Sequence, residues 1–305
     1  MSLHVFGNFV TSFGTAANNR GETEGNITTL QKLVWQGQVH TSVSAEAIRF
    51  ALRRLLAEAE PRRTNRCWDE DLRQNTWQDH QFKAWAARDG ETFIDDDLLG
   101  YMTAEAAKEE GKAGSANVRR AVLEVTRAVS LTPWPGDVTF NAASPGATPS
   151  AQKKGTNPVP YGTEVHATRY QFGFALTPER LRVPSRAAKA VRHLASLGTV
   201  AGNHGRFLFD FAPDSVVLRI TDDPAPRLLY CLDTPDGGRT VESPILIQRV
   251  TAGDIAPTEL IVGGALALTS TGQQLKNANV KVFDGVKAAI EEACNRINQH
   301  LGLTE

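Results

Sequence analysis

Apolar residues recur with two different periods along this chain, and these periods predict its main strands and helices. Residues 3–10 are mostly apolar, as in a strand that is buried on both faces. Alternating aromatic residues predict another strand within 164–176. Helical spacing predicts one amphipathic helix after the hydroxyl-rich segment 41–44, a second over 185–197 and a third over 284–301.

Two other segments have patterns that are less decisive, and a third has the clearest hairpin pattern in the chain. Residues 116–132 fit a helix or a strand, and residues 222–283 are irregular but strand-like. Two alternating arms within 206–221 predict a hairpin, with Phe207, Phe209 and Phe211 along its first arm. A phenylalanine stripe of this kind belongs to a core more often than to a surface that stacks on bases.

The opening unit, residues 3–54, combines a strand, a loop rich in glycine and asparagine, and a helix that starts on hydroxyl residues. Thr41, Ser42 and Ser44 are candidates for the N-cap oxygen of that helix. Arg49 and Arg53 lie one turn apart and share a face. A helix N-terminus behind a glycine-rich loop is suited to binding an anion. The loop residues that offer donors are Asn18, Asn19, Arg20, Gly21, Gly25 and Asn26.

The charge of the 305 residues is unevenly distributed, although the net charge is only −1. Residues 60–115 hold eight Lys/Arg and thirteen Asp/Glu, a net charge of −5. Residues 116–221 hold thirteen Lys/Arg and six Asp/Glu, a net charge of +7. The sequence therefore predicts a basic surface within a neutral chain, with a merely solvated face as the alternative.

Length and composition allow a sizeable core, in one large domain or in one domain with an insertion. No window is long and apolar enough to cross a membrane, and the first residues run directly into a strand. Cys67, Cys231 and Cys294 are too far apart for a metal site or a disulfide framework. We therefore expect a cytoplasmic protein without a signal peptide, a cofactor or a bound metal.

Two segments look like additions to the core. Residues 60–115 are polar and carry Trp68, Trp77 and Trp85, and the run Asp95–Asp97 could bind a cation or begin a solvated helix. Residues 142–162 form a stretch rich in Ala, Gly, Pro, Ser and Thr with Lys153 and Lys154 at its centre. A loop of this length is normally functional or disordered, so a nucleic-acid arm and a disordered surface loop are equal alternatives.

Motifs for the common catalytic classes are missing. The chain has no P-loop, no G-x-S-x-G elbow, no H-E-x-x-H and no paired-cysteine metal site. Its seven histidines are scattered, and only His40 lies beside the hydroxyl residues of the opening unit. Catalysis by dispersed residues is left open, but no pattern favours it.

Several segments together resemble one known family. VFGNFVTSFGTAANNRGETEGN, the helix start T-S-x-S-x-x-x-x-R-x-x-L-R, LEVTRAVSLTPWPGDVTFN and EVHATRYQF are similar to the DevR group of CRISPR-associated proteins. These are the Cas-seven backbone subunits of type I Cascade complexes in the RAMP superfamily, and type I-B is the most similar subtype. The resemblance covers nearly the whole chain in the same order.

This resemblance implies an α+β fold, with a modified RNA-recognition-motif (ferredoxin-like) palm, an inserted helical finger and an extended thumb loop. The palm would comprise 1–59, 116–132 and 165–305, the finger 60–115 and the thumb 133–164. Several copies would assemble along one CRISPR RNA, present its spacer for pairing with target DNA, and meet other Cascade subunits at the ends of the filament. The residues expected to contact RNA are Asn18, Asn19, Arg20, Gly21, Asn26, His40, Thr41, Ser42, Ser44, Arg49, Arg53, Lys153, Lys154 and Arg169.

The resemblance also implies a protein that does not cut RNA. Related type III subunits use an Asp in the first loop, whereas this loop has Glu22 and Glu24 but no Asp. The aromatic motif of ordinary RNA-recognition domains is missing too, which argues against base stacking on the sheet. Two alternatives are a type III-like ribonuclease that uses Glu22, Glu24 or Asp95–Asp97, and a self-assembling RNA-binding protein unrelated to CRISPR.

Overall fold

The computed structural model describes residues 2–87, 92–105, 115–147, 149–152, 155 and 157–303. The strands are β1 His4–Thr11, β2 Gly14–Ala16, β3 Asn19–Glu24, β4 Ile27–Leu30, β5 Lys32–Trp35, β6 Gln38–Val43, β7 Arg66–Asp69, β8 Gln74–Trp77, β9 Tyr101–Glu105, β10 Ser115–Arg119, β11 Leu123–Val125, β12 Ala128–Ser130, β13 Val138–Ala143, β14 Val159–Glu164, β15 His166–Thr168, β16 Tyr170–Leu176, β17 Pro213–Thr221, β18 Leu260–Gly264 and β19 Lys281–Phe283. The helices are α1 Ala45–Ala59, α2 Lys83–Ala86, α3 Ile94–Leu99, α4 Pro149–Gln152, α5 Arg186–Leu194, α6 Pro244–Thr251, α7 Ser270–Asn277 and α8 Val286–His300, and short 3-10 turns span Pro178–Arg180, Pro257–Glu259 and Ala265–Leu268.

Strand β1 lies in the middle of the central sheet, as the apolar run predicts. Among the described residues this sheet has the order β19-β18-β17-β1-β16-β12-β6-β5, and β11 also pairs with β16. Both neighbours of β1 run antiparallel to it, and Phe9 lies opposite Phe172. Every residue of β1 after His4 is buried, so the strand has no solvent-exposed face. This arrangement confirms the first predicted strand.

Helices cover both faces of the sheet and create two apolar cores. On one face, α1, α5 and α8 pack over Val5 and Phe9. On the other, α6 and α7 pack over Phe6 and Val10. Because successive side chains of a strand point to opposite faces, β1 contributes to both cores. The three predicted amphipathic helices correspond to α1, α5 and α8 and are confirmed.

The segment predicted to be a loop after β1 is largely β-structure. Strands β2 to β6 fill the space between β1 and α1, and β3 pairs with β4 around Gly25, whose φ is +60°. The helix therefore follows strand β6 and not a glycine-rich loop, so the predicted order of strand, loop and helix is wrong for residues 14–43. Backbone pairing between distant strands explains the difference, because such pairing satisfies donors that the local sequence leaves free.

The structure corrects two further predictions, the hairpin arm and the strand-like region, and decides the ambiguous segment. Residues 207–211 do not form a hairpin arm, because Phe209 and Phe211 enter the core from an irregular segment and Phe211 stacks on Phe172 at 5.3 Å. The strand that follows, β17, pairs with β1 and β18 instead. The strand-like region 222–283 contains the helices α6 and α7, and the ambiguous segment 116–132 is extended.

The described residues of the segment 142–162 include strand residues and the short helix α4, so the segment is not a structureless loop. Its flanks form β13 and β14, and a four-stranded sheet has the order β13-β14-β4-β3. We call these four strands the thumb sheet. The pairing of β14 with β4 is parallel and joins residues 135 positions apart, such as Gly162 and Ile27. The β3–β4 hairpin and the predicted thumb are thus one structural unit.

Helix α3 is joined to α1 and to the start of α5 through buried carboxylates. The run Asp95–Asp97 does begin a helix, but all three side chains are buried, so the prediction that they are solvated is wrong. Asp95 accepts hydrogen bonds from the Asn65 and Arg66 amides (2.7 and 3.0 Å) and from Arg53 Nε (3.1 Å).

Asp97 joins three parts of the chain at one carboxylate. It accepts from the Arg182 and Val183 amides at 3.0 and 3.1 Å. It also accepts from Arg186 Nη1 at 3.1 Å and from Arg119 Nη2 at 3.3 Å. A buried carboxylate with this many donors replaces its lost hydration with hydrogen bonds and ion pairs.

Replacement of Asp97 by Asn is expected to destabilise the protein. The amide keeps the shape but loses the negative charge that compensates the guanidinium groups of the buried Arg186 and the half-buried Arg119. We expect the free energy of unfolding to fall by about 3 kcal/mol, as for other buried ion pairs that lose one partner. Urea denaturation at pH 7 would measure this change, and an unchanged midpoint would contradict it.

Asp96→Asn is the matched control, because Asp96 has one hydrogen-bond donor, Asn65 Nδ2 at 2.9 Å, and its Oδ1 has no partner among the described residues. Burial, and next the charge of Asp95, raise the pKa of Asp96 to about 7. The carboxyl group of Asp96 therefore binds its proton more tightly in the folded protein than in the unfolded chain. The stability that this proton binding contributes is lost as the pH rises from about 4 to 7. The Asn variant should gain stability relative to the parent protein over that range.

Candidate nucleic-acid interface

The hydroxyl residues of the opening unit lie inside the protein. Thr41 is fully buried, and its Oγ1 lies 2.6 Å from Tyr170 OH and 2.7 Å from His166 Nδ1. Ser42 Oγ accepts from Arg127 Nη1 at 3.2 Å, and Ser44 Oγ accepts from the Ala47 amide and caps α1. Among the three candidate caps, Ser44 is therefore the one that caps the helix. These hydroxyls make intramolecular hydrogen bonds.

Two buried histidines extend the same network to the start of the predicted thumb. His40 Nδ1 lies 2.7 Å from the Ser130 carbonyl oxygen and 3.2 Å from the Ser130 hydroxyl. His166 lies between Thr41 and Thr132, whose Oγ1 is 3.2 Å from its Nε2. Burial, and next the nearby His40, lower the pKa of His166 to about 4. His166 is therefore neutral at physiological pH and serves as a hydrogen-bonding link.

Three predicted arginines are also engaged within the chain. Arg49 donates to the Leu99 carbonyl, and Arg53 pairs with Asp95, so both join α1 to the end or the start of α3. Arg169 pairs with Asp214 at 2.6 Å and donates to the Gly238 and Thr11 carbonyls at 2.8 and 3.0 Å. The main contacts of all three guanidinium groups are therefore structural.

The remaining candidates lie on the thumb sheet or close to it. Asn18 is buried directly before β3, and the backbone of residues 19–21 belongs to β3. Asn26 lies at the exposed β3–β4 turn, and its carbonyl accepts from the Gly162 amide at 2.9 Å. Lys153 and Lys154 lie outside the described residues. The structure thus places the 19–21 backbone in the thumb sheet and Asn26 at its edge.

Sequence reasoning missed an ion pair that ties the thumb sheet to the central sheet. Glu164, the last residue of β14, accepts from Lys32 Nζ at 2.7 Å and from the Leu30 amide at 2.6 Å. Lys32 also lies 4.1 Å from the centre of the Trp134 ring, and Trp134 Nε1 donates to the Val165 carbonyl at 2.9 Å. No local signal links Lys32 with Glu164, which are 132 positions apart.

An exposed cation beside the thumb was missed as well. Arg206 hydrogen-bonds to Tyr161 OH and lies 5.0 Å from the centre of its ring. Both side chains belong to the surface where the 199–206 segment meets β14. A guanidinium on an aromatic ring is a favourable arrangement for contact with a sugar–phosphate backbone. The alternating pattern of β14 was hidden by the glycine- and proline-rich composition of 142–162.

The part of the chain that the structure describes has neither a metal cluster nor a membrane-spanning helix. No group of three or more His, Cys, Asp or Glu side chains there is arranged to hold a metal ion. Within the same residues, no helix has both the length and the apolar character that crossing a bilayer requires.

Similarity to solved structures defines the class of fold. A chain of a "CRISPR RNA-guided surveillance complex, pre-nicking" superposes with a TM-score of 0.60 at 14% identity, covering 96% of this chain and 100% of that chain. A chain of a "CRISPR RNA-guided surveillance complex" gives 0.57 at 15% identity, with coverages of 96% and 99%. The protein therefore has the α+β fold of chains found in such complexes, as the resemblance implied.

Similarity in sequence identifies the family. The family model "CRISPR-associated negative auto-regulator DevR/Csa2" matches residues 9–228. The "CRISPR-associated protein Cas7/Cst2/DevR" of Myxococcus xanthus (strain DK1622) is 61% identical over 300 residues, 97% of this chain and 98% of that protein. The chain belongs to the DevR/Csa2 family of CRISPR-associated proteins.

Replacement of Thr41 by Val is expected to destabilise the protein while Thr41→Ser does not. Valine has nearly the same shape but leaves Tyr170 OH and His166 Nδ1 buried without their shared partner. We expect a loss of about 1–3 kcal/mol in the free energy of unfolding, the usual cost of an unsatisfied buried polar group. Urea denaturation of both variants would measure it, and equal stabilities would argue against the network.

Proposed function

We propose that this protein is a non-catalytic backbone subunit of a CRISPR surveillance complex that binds CRISPR RNA. The observation that carries the proposal is the 61% identity with the Cas7/Cst2/DevR protein over nearly the whole length of both chains. The likeness of fold to chains of CRISPR RNA-guided surveillance complexes supports it. The partners would be CRISPR RNA, target DNA paired with that guide, further copies of the chain and other subunits of a Cascade complex in the cytoplasm. Subtype I-B stays a prediction.

In this proposal the chain comprises a palm, a finger and a thumb. Residues 1–59, 116–132 and 165–305 would form the palm, 60–115 the finger and 133–164 the thumb. Because β3 and β4 lie in the thumb sheet, the thumb would also include the hairpin within 19–30. A subunit that holds any spacer sequence must grip the sugar–phosphate backbone and leave the base edges free for pairing.

Residues 19–21, Asn26, Lys153 and Lys154 are the proposed direct contacts. Arg206 on Tyr161 joins them, since this exposed pair lies beside the same strands. The buried candidates His40, Thr41, Ser42, Ser44, Asn18 and Arg169 would act by positioning the thumb sheet. Arg49 and Arg53 would act by holding α3 and the finger against α1.

Two alternative functions are a type III-like ribonuclease and a self-assembling RNA-binding protein unrelated to CRISPR. A type III-like ribonuclease would need carboxylates near bound RNA, and Glu22 and Glu24 are exposed on β3. The buried Asp95–Asp97 run is less suited, because Asp95 and Asp97 are occupied by arginines and backbone amides. A self-assembling RNA-binding protein unrelated to CRISPR is disfavoured by family membership, and neighbouring genes would separate it from the main proposal.

Removal of positive charge from the thumb region is expected to weaken RNA binding equally for every spacer sequence. Arg20→Ala, and Lys153→Ala combined with Lys154→Ala, would each leave RNA phosphates without a cation but change no interaction with the bases. For single-stranded RNA the slope of log K against log salt should become shallower by about 0.7 for each phosphate that is no longer neutralised. Fluorescence anisotropy at several salt concentrations would measure both effects with two unrelated spacers.

Arg120→Ala is the control for these variants, because Arg120 is an exposed arginine paired with Glu124 away from the thumb sheet. It should leave RNA affinity and its salt dependence unchanged. Weakening that depends on the spacer sequence, or unchanged affinity in the thumb variants, would contradict backbone recognition by this surface.

The purified protein is expected to leave bound RNA intact in the presence of magnesium or manganese. Glu22→Gln with Glu24→Gln should give the same RNA lifetime as the parent protein, since neither carboxylate is proposed to act in catalysis. Denaturing gel electrophoresis of end-labelled guide RNA would test this. Metal-dependent cleavage that the double variant abolishes would favour the ribonuclease alternative.

A further inference from the structure

A groove with a volume of about 560 Å³ lies between α1 and the β7–β8 hairpin. Helix α1 contributes to it one stripe at positions i, i+3, i+4 and i+7, separate from the stripe that packs on the core. The residues of this stripe are Phe50, Arg53, Arg54 and Ala57. The volume lies within the range of about 300–1,000 Å³ that is typical of sites for small ligands.

A buried carboxylate holds the two walls of the groove together. Asp95 accepts from Arg53 Nε on α1 at 3.1 Å and from the Arg66 amide on β7 at 3.0 Å. Separating α1 from β7 would leave this buried charge without partners, which is costly. The groove is therefore already formed in the single chain, and a ligand that enters it does not have to order its walls.

Each wall presents an aromatic ring to the groove. Phe50 on α1 is 45% exposed, and Trp68 on β7 is 50% exposed. Neither ring contacts another aromatic ring within the described part of the chain. Stacking of a planar ligand on such rings is favourable and removes apolar surface from water. The groove therefore favours a ligand that contains an aromatic ring.

Two guanidinium groups beside these rings lack anionic partners. Arg54 and Arg66 line the groove, are exposed and make no ion pair with any described residue. Arg53 is already paired with Asp95. Two unpaired guanidinium groups match a phosphate monoester, whose charge is about −1.5 to −2 at pH 7. A nucleoside monophosphate combines this group with an aromatic base.

The other polar side chains of the groove fit the hydrogen-bond donors of the same ligand. Asn75 lies opposite Trp68 in the hairpin, so both side chains share one face. Glu70 is exposed and makes no ion pair among the described residues. Its carboxylate would repel a phosphate but can accept from a ribose hydroxyl or a base amino group. These two residues favour a nucleotide over a simple aromatic acid.

We propose that this groove binds one free nucleoside monophosphate, with its base between Phe50 and Trp68 and its phosphate on Arg54 and Arg66. A base held between two rings is withdrawn from pairing, whereas a guide RNA must keep its bases free. The ligand is therefore a free nucleotide and not part of the guide. The groove residues differ from the proposed RNA contacts, so the inference goes beyond the proposed function and does not depend on it.

Ligand fragments test the two parts of the site. Adenosine 5′-monophosphate (AMP) is the probe, adenosine lacks its phosphate, and ribose 5-phosphate lacks its base. Titration calorimetry with the full chain should show that each fragment binds about tenfold or more weakly than AMP. AMP should also raise the midpoint of thermal unfolding, because it binds the folded chain. Neither heat nor a shifted midpoint with AMP, or equal affinity for AMP and either fragment, would overturn the proposal.

Substitutions at exposed positions locate the site. Trp68→Ala, and Arg54→Gln combined with Arg66→Gln, should each weaken AMP binding by about tenfold or more. Trp68→Phe keeps a ring and should retain affinity, which separates lost stacking from a disturbed fold. Unchanged AMP affinity in Trp68→Ala and in the double arginine variant would mean that AMP binds elsewhere, which overturns the groove site.

The matched controls lie on the same hairpin but outside the groove. Leu72→Ala changes an apolar side chain that is 62% exposed, and Arg73→Gln changes an exposed arginine. Both variants should bind AMP as the parent protein does. A loss in these controls equal to the loss in the groove variants would contradict recognition by the groove.

Competition with guide RNA separates this inference from the proposed function. AMP should bind equally to the free protein and to the protein on guide RNA, and the groove variants should bind guide RNA as the parent does. Displacement of AMP by guide RNA would mean that RNA occupies the groove, which overturns a separate nucleotide site. A parent protein that binds AMP but no RNA would contradict the proposed function and leave the groove site standing.

Discussion

The arrangement of this molecule depends on the carboxylates of α3. Asp97 accepts hydrogen bonds from the 182–183 backbone and pairs with Arg119 and Arg186, while Asp95 binds the 65–66 backbone and Arg53. Buried charges of this kind tolerate few alternative positions, because displacing them leaves ions without solvent or partners. The short helix therefore fixes how the β7–β8 hairpin lies against α1 and how α3 itself lies against α5.

A second buried network has the same role at the thumb. Thr41, His166, Tyr170 and Thr132 connect β6, β15 and β16 with the chain that enters β13, and Lys32 with Glu164 closes the other side. Polar groups in a core specify one arrangement because an unsatisfied donor or acceptor is costly. The residues that looked like RNA contacts in the sequence thus support the surface on which we propose that contact occurs. The sequence identified these residues as hydrogen-bonding groups, but it did not show that their side chains point into the protein.

The near-zero net charge is consistent with a protein whose surfaces serve different partners. Positive charge predominates in 116–221, but a large part of it is used internally, as Arg119, Arg169, Arg186 and Arg219 pair with carboxylates. Exposed cations remain at separate places, such as Arg206 beside β14 and Arg54 on α1. The net charge of residues 116–221 therefore overestimates the positive charge on the surface, since charge counts do not distinguish paired from solvated groups.

The sequence by itself determined the family, the central strand β1, the strand at 170–176 and the helices α1, α5 and α8. These elements have strong local periods, because each packs one stripe or two faces against a core. Only the tertiary structure decided that 14–43 is a set of strands, that 207–211 is an irregular part of the core and that Asp95–Asp97 are buried. It also decided that the β3–β4 hairpin joins β14 and that Thr41 faces His166. Such features depend on partners well separated in sequence, from 30 positions for Asp95 and Asn65 to 125 for Thr41 and His166. No local pattern of residues encodes which distant strand or side chain will satisfy a given donor or charge.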